Sequence, residues 1–476
     1  MNIPLTNQCF STIGFLISDI LPVKNSFQPI NTNFRFHLFQ TKSSGMKALH
    51  KLILVLLFVT YLFNTLIAQN IVLKQSNESG IYKKGEEIQV TVFLGELKTD
   101  SITLKTRENH STQISTQKMK YSGDTLLLFS GSFQKPASII LEVFVDSHSA
   151  CTGLVVDPLN FQPGTSRPKD FDRFWKEEKK ALQALPIEVK NIPVNNIEPG
   201  YSCADIEINC TGPKPARGYF AKPEKALPKS LPIVLFVRAA GVKGDWCQSK
   251  PQEALNYAKM GNGILAFDLN AHGILNSQPQ QYYNELEKGE LRNYWEIGIE
   301  SRNENYFRGM YLRLIRTLDF LTSQPEWDGK RILVIGESQG GGQALAAAGL
   351  DERVSAVVAT VPAMCDFGGE LIGRTGCWPQ PFKINGDKEK MLKTIPYFDV
   401  AHLLKNSKAT IVTEIGFIDT TCPSVSIYAA INQSKGEKIT FGVPYRGHHL
   451  DQKEYQKIWE EMVYKPKMKF IEEFLK

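Results

Sequence analysis

The chain has 476 residues, of which 42% are hydrophobic and 22% charged. That is the balance of ordinary globular proteins, and the length allows two to four domains of the usual ~100 to 200 residues, so wholesale disorder, collagen and a multi-span membrane protein are excluded. The formal charge is +6, but the first 68 residues hold five Lys/Arg and one Asp, which leaves +2 for the rest and no electrostatic case for a nucleic-acid partner.

In chain order, the first feature is the apolar run Leu52 to Ile67, which follows Lys47, His50 and Lys51 and ends at Ala68 before Gln69-Asn70. A basic flank, an apolar core and Leu66 and Ala68 at the two positions a signal peptidase reads predict a signal peptide over 46–68. The alternative is a single N-terminal anchor, because a 16-residue run is marginal for spanning a bilayer. Residues 1–45 mix Phe, Asn, Ser and Thr without a period; they stay unassigned, and Met46 is the expected start. Export to the periplasm or the medium, with no membrane span after cleavage, follows. Of eight cysteines, Cys9 lies upstream of the cleavage, and Cys151, Cys203, Cys210, Cys247, Cys365, Cys377 and Cys422 remain. That number is odd, so at least one thiol is free, and none shows Cys-x-x-Cys spacing. Cys203 and Cys210 are the nearest pair along the chain; export permits a disulfide, and buried free thiols are the alternative.

From residue 69 to 156, short apolar runs alternate with polar turns: Ile88 to Val92, Ile102 to Leu104, Thr125 to Phe129 and Ile139 to Val145. Period-two alternation predicts antiparallel strands and a small β-sandwich, read as a structural or spacer domain with carbohydrate binding as the alternative. The Pro/Gly-bearing stretch from Asp157 to Pro168 reads as a linker. Asp170 then stands where it can cap a helix with Phe171, Phe174 and Trp175 on one face, opening a second domain over 157–476. From Leu231 onward, continuous apolar runs alternate with helix-period segments: Ile233 to Val237, Gly263 to Phe267, Tyr311 to Leu321 (helical), Ile332 to Ile335, Gln343 to Ala348 (helical), Val354 to Val361, Ile411 to Ile415 and Ile439 to Val443. Strands buried on both faces between helices predict an α/β class, a doubly wound and mostly parallel sheet.

Within that pattern, the strand Ile332 to Ile335 runs into Gly336-Glu337-Ser338-Gln339-Gly340 and out into a small-residue helix, the setting a nucleophile elbow requires. Ser338 is the candidate nucleophile. A serine hydroxyl needs a base oriented by a carboxylate, in the chain order serine, acid, histidine. Only His402, His448 and His449 follow Ser338. His402 sits in an apparent helix, whereas His448 directly follows Gly447 in a late loop and is the preferred base, leaving His449 as a supporting or surface residue. Asp419 ends a strand between serine and histidine and is the preferred acid. Asp366 is its main rival, Glu414 is a further competitor, and Asp387 and Asp399 read as helix caps. The oxyanion needs two backbone donors: Gln339, after the nucleophile, and a residue of the loop Arg238-Ala239-Ala240-Gly241.

These residues together resemble the acetyl xylan esterase and cephalosporin-C deacetylase family of α/β-hydrolases. The resemblance covers roughly residues 157 to 476 and rests on Gly336 to Gly341, Pro362 to Phe367, Tyr397 to Val400, Gly416 to Pro423, Gly447-His448, and Pro168 to Trp175. It implies Ser338, Asp419 and His448 as triad, Gln339 as one oxyanion donor, and Ala239 where the family has a tyrosine. It also implies deacetylation of acetylated xylo-oligosaccharides or related small acetylated sugars without a cofactor, and a ring-shaped homo-oligomer. Three departures bear on substrate and assembly: that alanine, Asn270-Ala271-His272-Gly273 for the family's Arg-Gly-Gln-Gly, and His449 where the family has Glu.

Two other classes stay open: a peptidase or other acyl hydrolase on the same scaffold, and a non-catalytic glycan-binding protein working through the sandwich. His272 lacks a second ligand at metal spacing and reads as a loop or packing residue, so no metal or other cofactor is expected. Trp246 and Trp378 are candidates for either a sugar site or packing.

Overall fold

The computed structural model describes residues 71–476 except 112 and 196. The segment 46–68, residues 1–45 and Cys9 lie outside the described residues.

Eight strands come first: β1 (Val72–Gln75), β2 (Ile81–Tyr82), β3 (Ile88–Phe93), β4 (Ser101–Glu108), β5 (Ser115–Lys120), β6 (Thr125–Gly131), β7 (Ala137–Val145) and β8 (His148–Val156). They form two sheets, β1-β3-β6 and β2-β8-β7-β4-β5. Ile88, Val90 and Val92 of β3 point inward together and meet Leu104, Ile139, Leu141 and Val143 of the other sheet. Each such side chain, fully buried, contributes about 1.5 to 3 kcal/mol. Strand β5 (STQKMK) is almost wholly exposed and carries no apolar alternation, which is why sequence pattern misses it.

The stretch Asp157 to Pro168, expected as a linker, is packed in place. Phe161 is buried in the main core, the Asn432 amide donates to the carbonyls of Pro158 (3.0 Å) and Phe161 (3.2 Å), and Gly164 N–H donates to Asp366 (2.7 Å). Helix α1 (Phe171–Ala184) buries Phe171, Phe174 and Trp175, as the spacing predicts, and Leu182 besides. Asp170 stands at its N-terminus without capping it; its carboxylate instead accepts from Arg302 (2.9 Å) and the Tyr397 hydroxyl.

The second sheet system has nine strands: β9 (Val189–Pro193), β10 (Tyr201–Ile208), β11 (Ala216–Pro223), β12 (Leu231–Val237), β13 (Leu265–Asn270), β14 (Trp327–Glu337), β15 (Ala356–Thr360), β16 (Thr410–Gly416) and β17 (Lys438–Val443). Their order is β17-β16-β15-β14-β12-β13-β11-β10-β9. The strands from β12 to β17 pair in parallel, and β9 to β11 extend the sheet antiparallel. Strand β10 alternates polar and apolar residues, β9 is exposed throughout, and β11 mixes Arg217, Gly218 and Lys222 among its apolar positions, so all three escape a search for continuous runs.

Along β12, Ile233, Leu235 and Val237 face one core while Val234 and Phe236 face the other. The first core is closed by α1 and by the helices Tyr306–Thr322, Gln339–Leu350 and Ser424–Ile431; the second is closed by Pro251–Ala258 and Lys465–Leu475. The doubly wound, mostly parallel architecture expected from the sequence is the one observed. All seven described cysteines are free, and Cys203, Cys247, Cys365, Cys377 and Cys422 are buried.

Candidate active site

Three segments converge at the C-terminal edge of the parallel strands. The first is the turn from β14 into helix Gln339–Leu350, where Ser338 adopts φ 55° and ψ −120°. That left-handed geometry costs a non-glycine residue about 1 to 3 kcal/mol and persists only where its surroundings over-determine it. Here Ser338 N–H donates to Thr360 O (2.9 Å), and its carbonyl accepts from Gly342 (3.0 Å) and Ala363 (2.8 Å). The flanking glycines are needed for close approach. A Cβ at Gly336 would lie 2.3 Å from the Gly340 carbonyl carbon, and one at Gly340 would lie 2.2 Å from Val237 O.

The second segment follows β16. Asp419 is fully buried, and its Oδ1 accepts from the N–H groups of Thr421 and Cys422, both at 2.8 Å. That leaves Oδ2 for the third segment, the loop after β17, where His448 Nδ1 lies 2.9 Å away. His448 Nε2 is 3.0 Å from Ser338 Oγ. Since the carboxylate only accepts, Nδ1 carries the proton and Nε2 is free to accept from the serine. Burial depresses the basicity of His448, but the charge of Asp419 and its hydrogen bond outweigh that and raise the pKa above the ordinary 6.5.

The structure separates these residues from their rivals. Asp366 is buried against Arg374 (2.7 Å) and Gly164. Asp387 and Asp399 accept helix N-terminal N–H groups. His402 bonds Thr165 (3.1 Å). His449 stacks edge-on against His448, their rings 5.2 Å apart. Glu414 is fully buried; burial opposes its ionisation, yet Arg446 and Lys467 (2.6 Å) hold its pKa down to about 2. Cys422 Sγ lies within 4.8 Å of ligand atoms on Asp419 and His448, and burial pushes this thiol well above its ordinary pKa.

Gln339 is the first residue of its helix, so its N–H has no partner within the helix and lies beside the nucleophile. Ala239, Ala240 and Gly241 follow β12 and are half-buried. Their loop is fixed from several sides. Arg238 is ion-paired with Asp268 and its carbonyl accepts from Gln343 Nε2 (3.2 Å), while Ala240 O accepts from the Trp246 indole (2.8 Å).

Sequence reasoning missed the support behind this loop. Tyr294 donates to Gln339 Oε1 (2.5 Å), and its ring packs edge-on against His272, the centroids 4.6 Å apart. His272, buried and neutral because burial lowers its pKa to about 4, bonds Gly241 O through Nε2 (2.8 Å) and the Tyr306 hydroxyl through Nδ1 (2.6 Å). One aromatic cluster thus ties the loop bearing Ala239 to the helix bearing Gln339. A second missed group is Arg446, which pairs with Glu414 and lies 3.6 Å from Glu337, the neighbour of Ser338.

The comparisons agree with this architecture. The family model described as acetyl xylan esterase (AXE1) matches residues 154–465. The chain is 28% identical over 435 residues to "Acetyl esterase Axe7A" of Xylanibacter ruminicola, covering 87% of this chain and 95% of that one. It is also similar to the solved acetyl xylan esterase from Paenibacillus sp. R4, at 26% identity and a TM-score of 0.55, covering 66% of this chain and 98% of the other. With an α/β-hydrolase fold and a family match over most of its length, this chain belongs to the acetyl xylan esterase family and is a carboxylic-ester hydrolase.

Proposed function

We propose that the protein is an exported serine esterase that removes acetyl groups from acetylated xylo-oligosaccharides or related sugars, with Ser338, His448 and Asp419 as its triad. The observation that carries this reading is the unbroken chain Ser338 Oγ, His448, Asp419, with contacts of 3.0 and 2.9 Å. His448 takes the proton of Ser338 as Oγ attacks the acetyl carbonyl, while Asp419 holds the imidazole's tautomer and stabilises its charged form. The N–H groups of Gln339 and Ala239 receive the oxyanion, each donor being worth about 10²- to 10³-fold in rate. His448 then protonates the departing sugar hydroxyl, and water resolves the acetyl-serine by the reverse sequence.

A sugar substrate is supported by the half-buried Trp295 and Trp378, whose rings lie 5.7 Å apart. Trp378 N–H donates to Thr421 O (2.9 Å) and Tyr294 packs on both rings, so this aromatic wall spans the acid loop and the elbow helix. The printed names of the relatives, an acetyl esterase and an acetyl xylan esterase, support an acetyl leaving group. Export rests on the run Leu52 to Ile67; among the described residues no helix is long and apolar enough to cross a membrane. We assign 69–156 to a β-sandwich domain and 157–476 to the esterase domain.

The test is acetate release from acetylated xylo-oligosaccharides, beside nitrophenyl acetate, longer acyl esters and peptide amides. Release from the acetylated sugars that exceeds turnover of longer acyl esters and amides is expected. Activity on nitrophenyl acetate alone would reject xylan fragments as substrate, and preferential amide cleavage would make the protein a peptidase.

A further inference from the structure

The β-sandwich touches the loops that carry the acid and the base. Gly153 of β8 donates its N–H to Pro444 O (2.8 Å), in the loop that leads to His448. A Cβ at Gly153 would lie 2.6 Å from Phe417 O, two residues before Asp419, and one at Gly80 would lie 2.8 Å from Pro444. Val155 of β8 belongs to the main core of the esterase domain.

The hairpin between β4 and β5 reaches further. Asn109 and His110 adopt consecutive left-handed conformations, φ 48° and 51°, a strain that needs surrounding contacts to hold it. His110 is completely buried. Its Nε2 lies 3.1 Å from Ser424 Oγ, at the start of the helix that follows Asp419. Its carbonyl accepts from Thr375 N–H (2.8 Å) and from the Thr375 hydroxyl. Thr375 leads into Trp378, whose N–H holds Thr421 O, and Thr421 N–H in turn donates to Asp419 Oδ1. One residue of the sandwich therefore holds a segment on each side of the carboxylate, Ser424 through its imidazole and Thr375 through its backbone carbonyl. Burial lowers the imidazole's pKa to about 4, with Asp419 and Arg107 the charged groups facing it, so it is neutral and adds no charge to the site.

We propose that the sandwich is part of the catalytic apparatus, with His110 a positioning residue whose imidazole sets the Asp419 loop through Ser424 while its backbone carbonyl holds Thr375, and Gly153 a contact that seats the Asp419 and His448 loops. This rests on the triad reading given above. It predicts that the esterase domain does not work independently of its N-terminal neighbour.

The experiment is steady-state hydrolysis of nitrophenyl acetate across pH by full-length His110→Ala, His110→Gln and Gly153→Ala, with circular dichroism on each. His110→Ala is expected to lose about tenfold to a hundredfold in kcat, the scale of a small misplacement of a reacting group, with KM little changed. The acid limb should also move to lower pH, because His448 loses part of the support of Asp419 while its other charged neighbours, Glu337 and Arg446, stay in place. His110→Gln, whose amide nitrogen stands where Nε2 stands, should recover most of the rate, and Gly153→Ala should repeat the loss. Wild-type kcat and acid limb in folded His110→Ala would overturn the proposal. So would equal losses in the Ala and Gln variants with an unmoved limb, which mark packing alone. If His110→Ala does not fold, Gly153→Ala decides, and wild-type kcat there overturns it. Ser338→Ala is run alongside: turnover retained in that variant would bring down the triad reading itself, and turnover abolished there beside wild-type His110→Ala brings down only the role of the sandwich.

Discussion

Replacing Asp419 by Asn changes one atom and should disable the base. Oδ1 is fixed by two N–H donors at 2.8 Å, from Thr421 and Cys422, so the amide oxygen must stay there and the new NH₂ group faces His448 Nδ1 at 2.9 Å. Two donors then meet, and the imidazole relieves the clash by moving its proton to Nε2. In that tautomer Nε2 donates toward Ser338 Oγ and no longer accepts its proton. Flipping the amide is no remedy, since it would set NH₂ against two backbone donors in a fully buried site. Such a change in a serine triad lowers kcat about 10⁴-fold, or roughly 5.5 kcal/mol at 1.36 kcal/mol per decade. The assay is kcat for nitrophenyl acetate at neutral pH, with residual activity rising in alkaline solution, where hydroxide can take over as base. A folded Asp419→Asn protein within about tenfold of wild type would refute the reasoning.

Other outcomes follow from the same geometry. His448 must be neutral to act and its pKa lies above 6.5, so kcat/KM should fall with decreasing pH through a midpoint above that value; a midpoint below it would contradict the assigned hydrogen bond. Arg446→Met leaves the buried Glu414, among the described residues, with Lys467 as its one remaining cationic partner and should cost about 3 to 5 kcal/mol of stability in urea unfolding. Tyr294→Phe strands the buried Gln339 Oε1, with an expected loss of about 1 to 3 kcal/mol, read as a lower Tm and reduced kcat. Gly340→Ala forces a Cβ to within 2.2 Å of Val237 O, and the expected overpacking of about 1 to 3 kcal/mol should appear in thermal unfolding together with lost turnover.

Much of the architecture is written locally in the chain. The continuous apolar runs around Val234, Leu333 and Val412 announce strands buried on both faces, and the abrupt change to an Ala-rich helix after Gly340 announces the elbow. Alternation along Ile88, Val90 and Val92 does the same for the sandwich. What escapes is whatever depends on partners far along the chain. Strands β9 to β11 are half-polar and take their place from the sheet edge. The stretch after Asp157 looks like a loose connection because Pro and Gly are what the sequence displays, while Asn432 and Asp366, which fasten it, lie more than 200 residues away. Asp170 illustrates the same limit: its position is that of a cap, but Arg302 and Tyr397 claim its carboxylate. His110, 314 residues before the serine it bonds, has no motif at all. Its one local trace is a histidine in an Asn-His-Ser turn, a composition shared by countless surface hairpins.

The central claim is that Ser338, activated by His448, is the nucleophile, and covalent labelling tests it most directly. A fluorophosphonate transfers its phosphonyl group to an activated serine oxygen with loss of fluoride, and the modified peptide can be found by mass spectrometry after digestion. The account predicts labelling at Ser338, loss of acetate release in step with it, and neither labelling nor turnover in Ser338→Ala. Labelling at another residue, or undiminished acetate release by Ser338→Ala, would contradict it.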